Sequence, residues 1–186
     1  MTSWLRVDHA ARIVLQGGII AYPTEAVYGI GCLPLEEEAL ARIVAIKHRD
    51  ARKGLIVVAE QIEQLQPLAF LPGGEIGKRM QTSWPGPVTW VVEAKPQVPA
   101  LLTGGRSTLA VRISDHPTVR QLCHRTGSAL VSTSANFSGQ HPARSALSVR
   151  RGVGRKVDFV LAGPLGQQPR PTEIRDARSG KILRPG

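Results

Sequence analysis

Residues 129–139 read Ala129-Leu130-Val131-Ser132-Thr133-Ser134-Ala135-Asn136-Phe137-Ser138-Gly139. Three apolar residues mark a short buried strand. A run of hydroxyls and one amide follows at once and is closed by Ser138-Gly139. Ser and Asn side chains, with the backbone N–H groups of a tight small-residue turn, supply uncharged hydrogen-bond donors to an anion. A second stretch complements it: Lys47-His48-Arg49 puts two cations two residues apart at the end of a helical pattern. Cations neutralise phosphate oxygens, so the two stretches together suggest a nucleotide site without the usual glycine-rich loops.

The rest of the chain alternates in the same way. Residues 5–16 predict an amphipathic helix stopped by Gly17-Gly18, and 19–22 a buried strand. Residues 26–31 form a second small-residue segment. The pattern over 36–48 predicts the clearest helix, with Glu36, Glu37 and Glu38 in its first turn and Lys47, His48 and Arg49 in its last, as the helix dipole favours. Strands are expected at 55–59, 88–92, 109–113, 129–131, 157–161, 172–176 and 181–184. Helices are expected at 74–83, 117–125 and 144–151. Strands and helices interleave throughout, so the class is α/β. The proline-rich turn Trp84-Pro85-Gly86-Pro87 and the short final strands argue for a mixed sheet. Residues 163–171 read as a surface loop.

The 186 residues fit one domain, 1–186. A chain of this length removes roughly 70% of its unfolded surface from water on folding. The net charge is +10, and it is uneven: residues 1–100 carry ten Lys/Arg and ten Asp/Glu, residues 101–186 fourteen and four. A one-sided positive field attracts polyanions or serves solubility alone. Aromatics are only 4%, which weakens a platform of stacked single-stranded bases. Cys32 and Cys123 stand far apart, outside any zinc or disulfide pattern, as expected in a reducing cytoplasm. No apolar run reaches the ~18–20 residues of a membrane span, and the first residues lack the apolar core of a signal peptide. No membrane association is expected.

Two tempting motifs fail. Gly73-Gly74-Glu75-Ile76-Gly77-Lys78-Arg79 has three residues where a phosphate-binding loop needs four, and Arg79 where Ser or Thr should be. It reads as a loop opening a helix. Gly29-Ile30-Gly31 lacks the third glycine of a dinucleotide fingerprint. The histidines show no metal spacing; His116 and His124 flank Arg120, and a solvated or capping role is expected.

The stronger candidates each carry a plain structural reading as well. Lys47 and Arg49 complete a helix end, or with Arg52 and Lys53 form a phosphate cradle of four cations in seven residues. Thr24 bonds its own turn, or faces a ligand at a strand end, where α/β proteins bind them. Arg112 lies inside the apolar strand 109–113, where a charge must be paired or face a cleft. It forms an ion pair with a protein carboxylate, or grips a ligand carboxylate through its planar fork.

At these residues the chain resembles the threonylcarbamoyl-AMP synthases, the TsaC/YrdC family of tRNA-modifying enzymes. The resemblance runs in order through Tyr22-Pro23-Thr24-Glu25, Tyr28-Gly29, Lys47-x-Arg49, Trp84-Pro85-Gly86-Pro87-x-Thr89 and Leu109-Ala110-Val111-Arg112. It continues through Ser132-x-Ser134-Ala135-Asn136-x-Ser138-Gly139 to Ile182-Leu183-Arg184-Pro185-Gly186. It covers nearly the whole chain and matches the short, single-domain form. The resemblance implies a twisted, mixed α/β sheet with a positively charged concave face. It implies that L-threonine, bicarbonate and ATP give threonylcarbamoyl-AMP and pyrophosphate, with Mg2+ accompanying ATP. A partner transferase complex then carries the group to tRNA. By the same resemblance Lys47, Arg49, Lys53, Thr108, Ser134, Asn136 and Arg184 would bind ATP, with Lys47, Arg49, Ser134 and Asn136 at the chemistry. Thr24, Arg112, Ser132 and Thr172 would bind threonine. Ala26, where many relatives carry a second Thr, and Pro142 and Pro171-Thr172 depart from the family pattern. A second reading is a protein that binds tRNA or double-stranded RNA by backbone and shape. Arg112 and the hydroxyl cluster separate the two, because an RNA platform needs neither.

Overall fold

The computed structural model describes residues 2–186. Helix α1 (Trp4–Leu15) buries Val7, Ala10, Ala11 and Val14 at three- and four-residue spacing, the stripe of a helix packed on one face. It ends at Gly17, whose φ of +80° suits glycine. Strands β1 (Ile20–Pro23) and β2 (Tyr28–Gly31) form an antiparallel hairpin. Helix α2 (Glu37–Lys47) follows, stopped by His48 in the left-handed region at φ 47°.

The chain continues through β3 (Ile56–Ala59), β4 (Ala69–Phe70), α3 (Gly74–Thr82), β5 (Val88–Ala94), α4 (Ala100–Thr103) and β6 (Thr108–Ile113). Then come α5 (Pro117–Thr126), β7 (Leu130–Ser134), α6 (Ala146–Arg151), β8 (Phe159–Val160), β9 (Glu173–Asp176) and β10 (Ile182–Arg184). The strands join one sheet in the order β10-β9-β5-β6-β3-β7-β2-β1-β8, with β4 on β5. β3/β6, β5/β9 and β1/β8 are parallel and the other pairs antiparallel, so the sheet is mixed, as the proline turns predict.

Side chains alternate across this sheet, and two apolar clusters cover it. One face holds Ala21, Ile30, Val57, Ala59, Val111 and Val131 against Leu40, Ile43 and Met80 of α2 and α3. The other holds Ile20, Tyr22, Val58 and Leu130 against Val7, Ala10 and Val14 of α1 and Val119, Leu122 and Cys123 of α5. α1 and α5 cover only part of this second face. In register, Val58 sits beside Arg112 and Leu130, while Ile56 sits beside Ala110 and Ser132. Moving two residues along β3 or β7 from Val58 or Leu130 therefore leaves the helix cover and reaches Ile56 and Ser132, on the same face. That uncovered end holds the site.

Two sequence expectations need amending, and two short elements have no counterpart among them. The strand expected at 129–131 runs to Ser134, because Thr133 and Ser134 pair with Ile30 and Gly29 of β2. Tertiary pairing outweighs the low strand propensity of serine, so the hydroxyl cluster is strand, and the turn begins at Ala135. Residues 163–171 are no plain surface loop: the Gly166 and Gln168 N–H groups donate to the Thr24 and Glu25 carbonyls. The short elements β4 and α4 carry too few residues for a periodic signal. As expected, the stretch at 73–79 opens a helix, with Gly73 at the N-cap of α3. No helix among the described residues is long and apolar enough to cross a membrane.

Candidate active site

The uncovered end of the sheet encloses a hollow of about 160 Å³. Its wall brings together Thr24 and Glu25 from the β1–β2 turn, Arg49 after α2, Ile56, Arg112, and Ser132 and Ser134 of β7, with Thr172 and Arg184 from the C-terminal hairpin. Residues spread over most of the sequence meet there because β1, β7, β3 and β6 are spatially close. Gly29 is part of the fit: a Cβ there would lie 3.2 Å from Ser132 Oγ and 3.3 Å from Thr24 Cγ2.

Arg112 and Glu25 form the floor. Their side chains are 5% and 4% exposed, and Arg112 Nη1 lies 2.9 Å from Glu25 Oε2. The contact is an ion pair without hydrogen-bond alignment: Glu25 Oε2 and Arg112 Nε and Nη1 are buried with no hydrogen-bond partner. The other carboxylate oxygen, Oε1, accepts from Ser114 Oγ at 2.5 Å, and that hydroxyl accepts from the His116 N–H at 3.1 Å. Burial pushes the Glu25 carboxyl up, but Arg112 and Ser114 together hold it below its usual range. Both groups are therefore charged. The pair is the structural reading of Arg112, and its unused donors leave the ligand reading open as well.

Lys47 is different. It is 2% exposed. Its Nζ donates to the Ser134 carbonyl and to the Asn136 carbonyl at 2.9 Å, with Asn136 Oδ1 at 3.2 Å and Ser134 Oγ at 3.4 Å. The Lys47 carbonyl accepts from the Ser138 N–H at 2.9 Å. Asn136 Nδ2 donates to the Phe137 and Gln140 carbonyls. The two motifs that stand apart in sequence are thus one clasp, which pins the turn after β7 to the end of α2. Burial first, and Arg49 second, lower the Lys47 pKa to about 8. The ammonium of Lys47 and both N–H groups of the Asn136 amide are already engaged by protein oxygens, and neither residue lines the hollow.

Arg49, two residues on, does line it. Its Nε is buried without a partner, and burial lowers its pKa. The expected cradle of four cations contracts: Arg52 is exposed and pairs with Asp50 at 2.8 Å, and Lys53 is exposed in a short 3-10 turn. Arg184 replaces them from the far end of the chain. Its Nη2 donates to the Thr172 carbonyl. Burial of its inner edge, with Arg49 and Arg112 nearby, lowers its pKa, although the residue as a whole is exposed.

Thr24 Oγ1 donates to the Val27 carbonyl at 2.7 Å, which is the turn reading, and the residue also lines the hollow. Thr172 Oγ1 lies 3.2 Å from Thr89 Oγ1. Thr108 is not brought to this hollow. It shares the Arg112 face of β6 but lines a larger depression with Glu93, Asp176 and Arg178. His116 is buried at the N-cap of α5 rather than solvated, with Nε2 3.3 Å from the Pro164 carbonyl. The described residues contain no group of three or more His, Cys, Asp or Glu that could hold a metal ion. Glu25 and Ser114 are the residues that sequence reasoning misses. The signal that could have found them is a lone carboxylate following a buried strand, matched by a lone arginine inside another.

The uncovered end of a mixed α/β sheet thus gathers three arginines, one carboxylate and a row of hydroxyls, a donor set chemically suited to small anionic ligands. The family model Sua5_yciO_yrdC, described as telomere recombination, matches residues 12–186. The chain belongs to this Sua5/YciO/YrdC family. It is 52% identical over 180 residues to the threonylcarbamoyl-AMP synthase of Halorhodospira halophila, covering 96% of this chain and 94% of that protein. It is 45% identical to the one of Alkalilimnicola ehrlichii, covering 98% and 97%. Among solved structures, P. abyssi Sua5 complexed with L-threonine superposes with TM-score 0.92 at 32% identity over 99% of this chain. This chain spans about half of that one, 55%. E. coli YciO superposes with TM-score 0.84 at 25% identity, covering 99% and 90%.

Proposed function

We propose that the protein is a threonylcarbamoyl-AMP synthase, joining L-threonine, bicarbonate and ATP into threonylcarbamoyl-AMP with release of pyrophosphate. The observation that carries the reading is the hollow itself. It has room for about five waters at ~30 Å³ each, the size of a small amino acid. Its floor is the Arg112–Glu25 pair, in which Arg112 Nε makes no hydrogen bond to the protein, and a guanidinium is well shaped to hold a carboxylate.

A nucleotide is far too large for the enclosed part and lies across its mouth. Arg49 and Arg184 stand at that mouth and meet phosphate oxygens, with Ser134 beside the α-phosphate. Lys47 and Asn136 hold the turn that carries Ser134, so their part in ATP binding is largely positioning. Thr24, Ser132 and Thr172 line the threonine pocket. Thr108 and Lys53, as ATP contacts, lie outside the enclosed part and could serve only the outer phosphates or the base.

The ammonium of bound threonine first gives up a proton, and the free amine then condenses with bicarbonate to a carbamate, releasing water. A carbamate oxygen then attacks the α-phosphorus, and pyrophosphate departs from the opposite side. Such a reaction needs little covalent chemistry from the protein; alignment and neutralisation of spreading negative charge dominate. Mg2+ would accompany ATP and supply neutralising charge to the triphosphate, with the phosphate oxygens and water rather than a protein cluster as its expected ligands. The product passes to a threonylcarbamoyl transferase complex acting on tRNA, in the cytoplasm, and residues 1–186 act as one domain. The name shared by the curated relatives supports the synthase over a double-stranded-RNA binder.

The test is pyrophosphate release by the purified protein. Release that requires both L-threonine and bicarbonate is expected. An unchanged rate without threonine leaves a plain ATPase and defeats the proposal.

A further inference from the structure

Among the residues that wall the hollow, three are arginines, Arg49, Arg112 and Arg184, and one is acidic, Glu25. An amino acid at neutral pH carries an ammonium as well as a carboxylate. Three guanidinium groups attract the carboxylate and repel the ammonium, so the proposed substrate needs a counter-charge for its nitrogen. The other polar wall groups are neutral hydroxyls and backbone. Building on the proposed function, we propose that Glu25 is the anchor for the substrate's ammonium group, so that the Glu25–Arg112 pair reads both charges of a zwitterion.

Geometry supports this over a role as counter-ion alone. Arg–carboxylate pairs are frequently bidentate, with two parallel N–H···O bonds. Here Nη1 and Oε2 stand 2.9 Å apart with no hydrogen bond aligned between them, and Arg112 Nε has no partner. Buried polar atoms left unpaired are rare and costly. In an α-amino acid the ammonium and carboxylate are attached to one carbon, so their receptors must stand side by side, as these two do.

Glu25 is also held. Oε1 is fixed by Ser114 Oγ, its carbonyl accepts from the Gln168 N–H, and the preceding carbonyl accepts from the Gly166 N–H. Gly166 has no room for a side chain, since a Cβ would come within 2.8 Å of Glu25 Cα. The segment at 163–168 and Ser114, just before α5, thus back the carboxylate and fix Oε1, while Oε2 faces Arg112 Nη1 at 2.9 Å without an aligned hydrogen bond. The carboxyl is held ionised by Arg112 and Ser114 against burial, which suits a cation.

The test uses two probes, L-threonine and (R)-3-hydroxybutanoate, which is threonine with the amino group replaced by hydrogen. Their affinities are measured calorimetrically on the whole protein and on Glu25→Gln, which keeps the size and an oxygen for Ser114. The wild type should bind threonine roughly tenfold or more tighter than the deamino acid. In the variant threonine should weaken by a similar factor, while the deamino acid binds as well or more tightly, because a negative charge is gone. A side chain that merely holds Arg112 in place would weaken both probes together, and that outcome overturns the inference while leaving the proposed function standing. Should the variant not fold, the wild type decides: equal affinity for the two probes overturns the inference. A wild type that binds neither probe defeats the proposed function and this inference with it.

Discussion

The site contains two buried cations, and they are opposites. Lys47 has its ammonium surrounded by four protein oxygens, from Ser134 and Asn136. Arg112 faces one carboxylate, with Nη1 2.9 Å from Glu25 Oε2, and its Nε has no hydrogen-bond partner. Both sit at the same open end of the sheet, and the family resemblance assigns both to ligand. The difference shows that burial of a charge does not by itself mark a ligand contact. A cation whose donors are all used builds the site, and one with donors to spare serves what enters it.

Arg112→Ala should give the larger effect. Removing one partner of a buried pair leaves Glu25 uncompensated and costs about 3–5 kcal/mol of stability. Threonine affinity should fall by about 2–5 kcal/mol while ATP affinity is little changed. Chemical denaturation and calorimetry with each substrate check this; a parallel loss of both affinities would reassign Arg112 to structure and erase the contrast with Lys47.

Lys47→Met should do less to stability and act on the other substrate. Each carbonyl losing its donor costs about 1–3 kcal/mol, but the penalty of burying the ammonium is relieved. ATP affinity should drop more than threonine affinity, because the turn carrying Ser134 is freed. The pH dependence sharpens the point. The folded-state pKa of Lys47 is lowered from 10.5 to about 8, so the unfolded chain binds the extra proton between those values. Stability from this group therefore rises with pH across that window, and the penalty is fully present below about pH 8; its ceiling is about 3 kcal/mol. Urea midpoints at about pH 7.5 and 9.5 should show the wild type gaining on Lys47→Met as pH rises. No relative gain would mean that the ammonium is not desolvated as the structure has it.

The smallest effect is expected at cations that do not line the hollow. Arg150, Arg151, Arg155 and Lys156 are exposed and none pairs with a carboxylate among the described residues. Changing all four to Ala should leave pyrophosphate release near wild type. If this face also meets RNA, duplex affinity should weaken and its salt dependence flatten. The log–log slope should shrink by roughly 0.9 for each phosphate no longer neutralised on DNA, and by a similar order on RNA. Loss of the small-substrate reaction in the folded variant would place these cations in the site after all.

Much of this was legible in the sequence because it depends on local periodicity. The apolar pattern over 5–16 and the polarity of α2 are helical signals that need no partner. Of the large apolar residues in the first, however, only Val7 and Val14 are buried, while Leu5 and Leu15 are exposed and Ala10 and Ala11 complete the buried stripe. Apolar runs with Gly and Pro between them marked the strands, and a charge inside one of them singled out Arg112. The ordered resemblance then named the family. Other features depended on neighbours distant in the chain. Ser132 and Ser134 are strand because β3 and β2 flank them, a fact that no local propensity contains. Glu25 lies 87 residues from Arg112 and 89 from Ser114, so its partners exist only once β1 and β6 share a sheet. Lys47 and Arg49 share a cationic motif, yet left-handed His48 turns the chain between them, and one enters the clasp while the other meets the hollow. Residue types and spacing determined which chemistry the chain possesses. Only the register of the sheet and the reach of α1 and α5 across it decided which of those groups are consumed in building the fold and which are left free for a ligand, because hydrogen-bond satisfaction of a buried group is a property of its three-dimensional neighbours.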